Sequence, residues 1–403
     1  MQSSSISPPW TRGWLVLLAV VYGAFIVGCG TVPTRTPVPQ ELSETAMIPG
    51  IPMAKTWGDE APPYADAWFA MSQAELEARY PGIMGKEHTY LAISGGGQNG
   101  AYSVGLLLGW TDAGTRPEFT MVTGVSTGAL VGPFAFLGPE YDPQLKEIYT
   151  GITTKDVLTQ RRLLTGLTSD ALASTEPLQE LIKKYITPEV MDALAVEFRK
   201  GRQLNVGTTN LDAGRPVIWN ITRIAASGHP HALELIHQIL LASASIPVAF
   251  PPVLIEVEAD GQRYDEMHVD GGGASQVFLY PIGVDWQRVK EKLNVKGTPS
   301  AYLIRNARLS ADWKTTEARL APIAGRTIGS LIRTQGIGDM YRVYLATKRD
   351  GVAYRLAYIP DTFQEKPNEP FDREYMRKLF DVGYRLAKDG YPWVKNPPGA
   401  VVR

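Results

Sequence analysis

The sequence predicts an α/β fold around an open, mostly parallel sheet, and three features carry that prediction. Twice in the first third of the chain, a short apolar run ends in a glycine turn that opens into a helix-compatible run. Residues 90–94 lead into Gly95-Gly96-Gly97-Gln98-Asn99-Gly100 and then 101–110. Residues 119–122 lead into Gly124-Val125-Ser126-Thr127-Gly128 and then 129–137. Strands that alternate with helical crossovers pair in parallel. Later, Asp260-Gly261 separates a run over 253–258 from one ending at His268-Val269-Asp270, the signature of a tight hairpin.

A length of 403 residues suits one large or two modest domains. Hydrophobic residues at 44% and charged residues at 20% are ordinary for a globular protein. Lys+Arg at 40 against Asp+Glu at 41 leaves no basic excess to draw nucleic acid. Cys29 is the only cysteine, which excludes an intrachain disulfide and a thiolate metal cluster. Among the five histidines, His229 and His231 have a chelating spacing, but Gly228 and Pro230 around them read as a turn. No metal and no cofactor is expected.

The chain divides into four segments. Residues 1–28 hold Arg12 and an apolar run over 13–28, close in length to a signal-peptide core and short for a membrane span. The run ends in Ile26-Val27-Gly28-Cys29, which resembles a bacterial lipobox. That resemblance implies a signal peptide removed before a diacylated Cys29. Gly30 in place of Asp favours the outer membrane, by resemblance to lipoprotein sorting in Gram-negative bacteria. The protein is thus expected in the bacterial cell envelope, lipid-anchored, on the periplasmic or surface side. Residues 29–85 are proline-rich as far as Pro63 and read as an extended tether, with one helix over 65–80. Residues 86–285 form the expected core, and 286–403 an extension of helices and strands packed on it.

A glycine loop at a helix start presents backbone amides that stabilise an anion. A nucleotide phosphate would need Lys and Ser/Thr after Gly100, and Ala101-Tyr102 stand there. A dinucleotide fits Gly95-x-Gly97-x-x-Gly100 formally, but needs an acid at the end of the next strand. Thr123-Gly124-Val125-Ser126 stands there instead. The third anion is the oxyanion formed when Ser126 attacks an ester. Gly124 and Gly128 tolerate the sharp backbone that exposes such a serine at a strand-to-helix turn. Loop and serine at the carboxyl ends of neighbouring strands would set the Gly95, Gly96 and Gly97 amides near the same carbonyl oxygen.

A nucleophilic serine needs a base. No histidine follows His268, where a late histidine would complete a triad. His268 with an acid stays open as a base. The stronger candidate is Asp270, because Gly271-Gly272 after it bend the backbone away from its carboxylate.

Taken in order, Gly95-Gly96-Gly97-x-x-Gly100, Gly124-x-Ser126-x-Gly128 and Asp270-Gly271-Gly272 resemble the patatin-like phospholipase family. Leu241-Ala242-Ser243-Ala244-Ser245-Ile246-Pro247-Val248-Ala249-Phe250-Pro251-Pro252 is similar to the block between the family's serine and aspartate. Residues 205–214 are similar to its central strand and turn. The resemblance covers residues 90–280. It implies a three-layer α/β fold with helices on both faces and a Ser126–Asp270 dyad without histidine. It also implies an acyl lipid as substrate, a phospholipid or lysophospholipid among them. Asn99 stands where many members carry Arg or Lys, which removes a charge from the loop. Two other readings stay in view: a catalytically silent envelope lipoprotein, and a Rossmann-type nucleotide-binding protein.

The remaining elements follow local signals. Helices start at Thr175-Glu176-Pro177 and at Thr187-Pro188, the second ended by Gly201. Residues 203–209 and 216–221 read as strands, 233–244 as a helix, and 141–167 as lid or access structure. After residue 280 come a helix over 286–293, a strand over 301–305, an amphipathic stretch over 322–347, a strand over 354–359 and a helix over 371–388. Aromatic and apolar residues of this last third read as core, and no motif marks it.

Overall fold

The computed structural model describes residues 35–160, 173–311, 313 and 315–400. Cys29, the signal-like run and the tail of the 141–167 stretch lie outside the described residues.

The frame is a nine-stranded sheet. Its strands are β1 (Lys55–Trp57), β2 (Glu87–Ile93), β3 (Met121–Val125), β6 (Gln203–Asn210), β7 (Arg215–Asn220), β8 (Val253–Ala259), β9 (Gln262–Asp270), β10 (Lys296–Arg305) and β11 (Ala353–Tyr358). A separate pair, β4 (Thr159–Gln160) and β5 (Ala173–Ser174), lies outside it. The helices are α1 (Ala65–Ala70), α2 (Gln73–Arg79), α3 (Gly100–Asp112), α4 (Thr127–Leu137), α5 (Asp142–Gly151), α6 (Thr154–Val157) and α7 (Glu176–Tyr185). They continue with α8 (Pro188–Lys200), α9 (Ile221–Ala225), α10 (Ala232–Ser243), α11 (Trp286–Lys292), α12 (Leu320–Arg349) and α13 (Arg373–Lys388).

The sheet order is β1-β7-β6-β3-β2-β10-β11. Strands β6, β3, β2, β10 and β11 are mutually parallel, and β7 runs antiparallel between β6 and β1. Parallel strands are covered on both faces, so β2 is buried from Tyr90 to Ile93 and β3 along its whole length. Leu91, Ile93, Val122 and Ile304 point into one core, shared with α3, α4 and α13. Tyr90, Ala92, Met121 and Leu303 point into a second core, shared with α12. Helices on both faces of a mostly parallel sheet are the predicted architecture.

Helix α3 is rich in small residues because α13 lies against its backbone. A Cβ on Gly105 would come within 2.0 Å of the Phe380 carbonyl oxygen, and one on Gly109 within 2.1 Å of that of Tyr384. The hairpin turn is also as read: Asp260 and Gly261 both have positive φ, 50° and 71°, between β8 and β9.

Four expectations need correction. Within the described part, the proline-rich stretch is packed on the body rather than extended as a tether. Ala46, Ile48, Ile51 and Ala54 are buried in the first core, and β1 pairs with β7. The helix predicted over 65–80 is two helices, because Ser72 caps α2 with Glu75 in a reciprocal capping box. Residues beyond 285 are part of the sheet itself: β10 pairs directly with β2. Helix α12 also departs from a core role at its start, where Leu320, Ile323, Ile328, Leu331 and Ile332 are all exposed.

Candidate active site

The edge of β6 brings the two halves of the site together. β3 pairs with the first half of that edge, ending with Val125 opposite Gly207. β9 arrives from the opposite direction along the second half, ending with Asp270 opposite Thr208. The two strand ends therefore meet head to head. Ser126 follows one and Asp270 ends the other.

The turns at this meeting point leave no room for side chains. A Cβ on Gly124 would come within 2.3 Å of the Gly128 carbonyl oxygen. On Gly128 it would lie 2.2 Å from the oxygen of Ile93, and on Gly271 2.4 Å from that of Gly207. Ser126 itself sits at φ 55° and ψ −125°, a conformation that costs a non-glycine residue ~1–3 kcal/mol and persists only where its surroundings impose it.

Those surroundings come from the end of α10. The Ser126 amide donates to Ser243 Oγ at 3.0 Å, and Ser243 Oγ donates to the Gly207 carbonyl at 2.7 Å. Two residues on, the Ser245 carbonyl accepts from the Asp270 amide at 2.9 Å. One short segment thus fixes the backbone of both Ser126 and Asp270. The sequence marked this segment as a motif block but assigned neither residue a role.

Asp270 is buried, and burial pushes its carboxyl pKa up to about 6. Hydrogen bonds from the Ser126 hydroxyl and from the Gly272 amide, the latter at 2.7 Å to Oδ1, pull it partly back. No cation is among the causes of its shift. The result is a carboxylate titrating close to neutrality, in contact with a serine hydroxyl.

The glycine loop closes the other side. β2 ends at Ile93, paired with Gly124, so Gly95 lies against the serine. A Cβ on Gly95 would be 3.1 Å from Ser126 Cβ. The Gly95 amide, however, donates to the Gln276 carbonyl at 3.2 Å. The predicted set of three oxyanion donors therefore narrows to Gly96 and Gly97. Gly97, at φ 55°, lines a cavity together with Ser126. Gly100 opens α3, and a Cβ there would strike Thr127 Oγ1 at 2.5 Å.

Residues that the sequence did not single out hold this loop. Asn306, just past β10, donates from Nδ2 to the Ser94 carbonyl at 3.0 Å and accepts at Oδ1 from the Ser103 amide at 3.2 Å. Gln276 donates from Nε2 to the Gly272 carbonyl at 2.9 Å. Its own amide donates to Asp339 of α12 at 2.7 Å. Asn99 accepts from the Tyr375 hydroxyl of α13 at 2.8 Å, so its amide side chain acts here as an anchor. None of these contacts is coded locally.

The cavity beside Ser126 has a volume of ≈ 80 Å³. Leu130 and Phe134 of α4, Ile148 of α5, Leu178 of α7, Leu240 of α10 and Phe250 line it. These are acyl-compatible walls. α5, from the stretch read as lid or access structure, supplies one of them.

His268 is not the base. Its Nε2 lies 3.1 Å from Glu266 Oε2 and its Nδ1 2.9 Å from Thr208 Oγ1, which itself accepts from Trp219 Nε1 at 2.8 Å. Burial lowers the His268 pKa, so the ring is neutral, donates to Glu266 and accepts from Thr208. Lys55 of β1 completes the network at 2.5 Å from Glu266 Oε1. The His229–His231 pair has its partner at the surface, with His231 beside Glu234. Among the described residues no group of His, Cys, Asp and Glu could hold a metal ion.

A family model described as patatin-like phospholipase matches residues 91–282. Among solved structures, the chain is similar to VipD from Legionella pneumophila at 12% identity, over 76% of this chain and 67% of that one, with a TM-score of 0.35. A search of curated proteins found no match.

Proposed function

The chain carries a patatin-like phospholipase domain over residues 91–282, a family of lipid acyl hydrolases, and from that premise we propose that Ser126 and Asp270 cleave acyl-lipid esters through an acyl-enzyme. The observation that carries this reading is Asp270 at the end of β9: buried, without a cation, hydrogen-bonded to Ser126, with its pKa at about 6.

Asp270 takes the proton as Ser126 Oγ forms a bond to the carbonyl carbon. The carbonyl π electrons move to oxygen, and the Gly96 and Gly97 amides hold the resulting oxyanion beside the start of α3. Collapse expels the alcohol, which takes the proton back from Asp270 and leaves an ester on Ser126. Asp270 then deprotonates a water that attacks this ester. Hydrolysis restores Ser126 and releases the acid. The apolar cavity beside Ser126 receives the acyl chain. Phospholipids and lysophospholipids are the proposed substrates, met at an envelope membrane to which a lipidated Cys29 tethers the chain.

Labelling by a fluorophosphonate, mapped by mass spectrometry, tests the reading. Modification at Ser126, lost in Ser126→Ala and suppressed in Asp270→Asn, is expected. An unlabelled, folded protein would leave the silent-lipoprotein reading in its place. Failure of Cys29→Ala to release the protein from the membrane fraction would remove the tether alone.

A further inference from the structure

We propose that the first turns of α12, residues 320–332, form a lipid-contacting element that seats the active-site end of the molecule on an anionic bilayer. The choice of a lipid surface rests on the acyl-lipid reading of Ser126.

Position is the first observation. β10 runs parallel to β2 and β3, so its last residue, Arg305, lies at the end of the sheet that carries Ser126. α12 starts beyond that end and returns along the sheet. Its Gly336 meets the Arg305 guanidinium, where an added Cβ would lie 2.2 Å from Nη1. The turns before Gly336 therefore lie toward that end of the molecule and span about 24 Å of helix, at about 1.5 Å per residue.

Chemistry is the second. Leu320 is 86% exposed, Leu331 65% and Ile328 50%, and Trp313 just upstream is 96% exposed. At about 100° per residue, Leu320, Ile323, Ile328, Leu331 and Ile332 fall within one half of the helix circumference. Arg326 and Arg333 fall opposite. Arg333 donates to the Leu309 carbonyl at 2.6 Å, so the arginine side leans on the 309–310 loop and the apolar side faces outward.

Charge is the third. Residues 315–334 hold Arg319, Arg326 and Arg333 against the single acid Glu317, which pairs with Arg319 at 3.4 Å, and this leaves a formal excess of two positive charges in a chain of net charge −1. A broad apolar face backed by arginines is the composition of a helix lying in a membrane interface, with anionic headgroups as counter-charge. The span is shorter than the ~20 residues a crossing requires.

The test uses the full chain with Cys29→Ser, which removes the only native thiol. A nitroxide is placed at Ile328→Cys or, as a control, at Thr115→Cys. Thr115 is exposed in the loop between α3 and β3, at the opposite end of the sheet. Vesicles of phosphatidylglycerol and phosphatidylethanolamine are added, and access of oxygen against a water-soluble nickel chelate is read by spin resonance. Position 328 is expected in the bilayer interface and position 115 in water. Replacing Leu320, Ile323, Ile328 and Leu331 by Ser is expected to lower hydrolysis of vesicle lipid at least tenfold and leave a soluble short-chain ester unaffected.

A water-exposed label at 328 on vesicle-bound protein overturns the proposal, and so does a failure to bind vesicles. Spin–spin broadening at 328 without vesicles overturns it in favour of a second copy of the chain. Immersion at 328 without any ester turnover would leave the seat standing and remove the hydrolase reading instead.

Discussion

Two buried carboxylates of β9 make a natural comparison. Glu266 and Asp270 lie on the same strand, with His268 between them, and both are almost wholly out of water. Burial pushes each toward its neutral form. For Glu266 the hydrogen bond from His268 and the charge of Lys55 together outweigh burial, and its pKa falls below the ordinary value. For Asp270 only a hydroxyl and an amide answer burial, and its pKa rises to about 6. A carboxylate paired with a cation is a settled ion and holds structure. A carboxylate given only neutral donors keeps an appetite for a proton, and this is what a serine hydroxyl needs beside it.

The largest test of the contrast removes the reactive pair. Ser126→Ala or Asp270→Asn is expected to lower kcat on a p-nitrophenyl ester by ~10⁴-fold or more, since members of a catalytic unit fail together. Equal turnover in either variant would sink the dyad.

Thermal melts across pH separate the two carboxylates by sign. The raised Asp270 pKa gives stability that is complete below its unfolded value of ~3.9 and lost as pH rises through about 6, by roughly 3 kcal/mol. Asp270→Asn is therefore expected to raise Tm at pH 7 while abolishing turnover. Glu266 works the other way: its contribution is present above its unfolded pKa and is lost as pH falls through its lowered folded value.

Lys55→Met leaves Glu266 buried without its cation. A loss of ~3–5 kcal/mol in urea unfolding is expected, with kcat on a soluble ester within a few-fold of the parent. A collapse of kcat without a stability change would show that the two networks are one.

The pH profile is the finer test. kcat/KM on a soluble ester should rise with pH through about 6 and then level, because Asp270 must be deprotonated to act. A profile flat from pH 5 to 8 would assign the base elsewhere.

The smallest expected effect comes from a supporting residue. Ser243→Ala leaves the Ser126 amide without its acceptor and should lower kcat by about 10–100-fold at unchanged KM, the cost of ~1–3 kcal/mol for one orphaned buried donor.

The sequence made visible whatever depends on short-range backbone chemistry. Gly124, Gly128 and Gly271 stand where a Cβ would collide with a carbonyl, so their necessity is written locally. Helix starts at Thr187 and the stop at Gly201, with φ 95°, were readable for the same reason. Contacts between distant segments were not. Nothing near Gly95 announces that Gln276 takes its amide, and nothing near Asn99 announces Tyr375. The stretch before Pro63 lacks periodicity, so its burial through scattered residues such as Ile48 and Ile51 left no pattern to read. His268 reads as a possible base from the sequence because chain position does not reveal what a buried ring faces.

The pairing of β2 with β10 and the hold of Tyr375 on Asn99 also order events in time. A growing polypeptide can complete Ser126 and Asp270 while β10, α12 and α13 are still untranslated. Until those arrive, β2 is an unpaired edge and the glycine loop lacks Asn306 and Tyr375 behind it. On the proposed reading, the reactive pair is thus in the chain before the scaffold behind the glycine loop, and a nascent or truncated chain would carry Ser126 and Asp270 without Asn306 and Tyr375 to hold that loop.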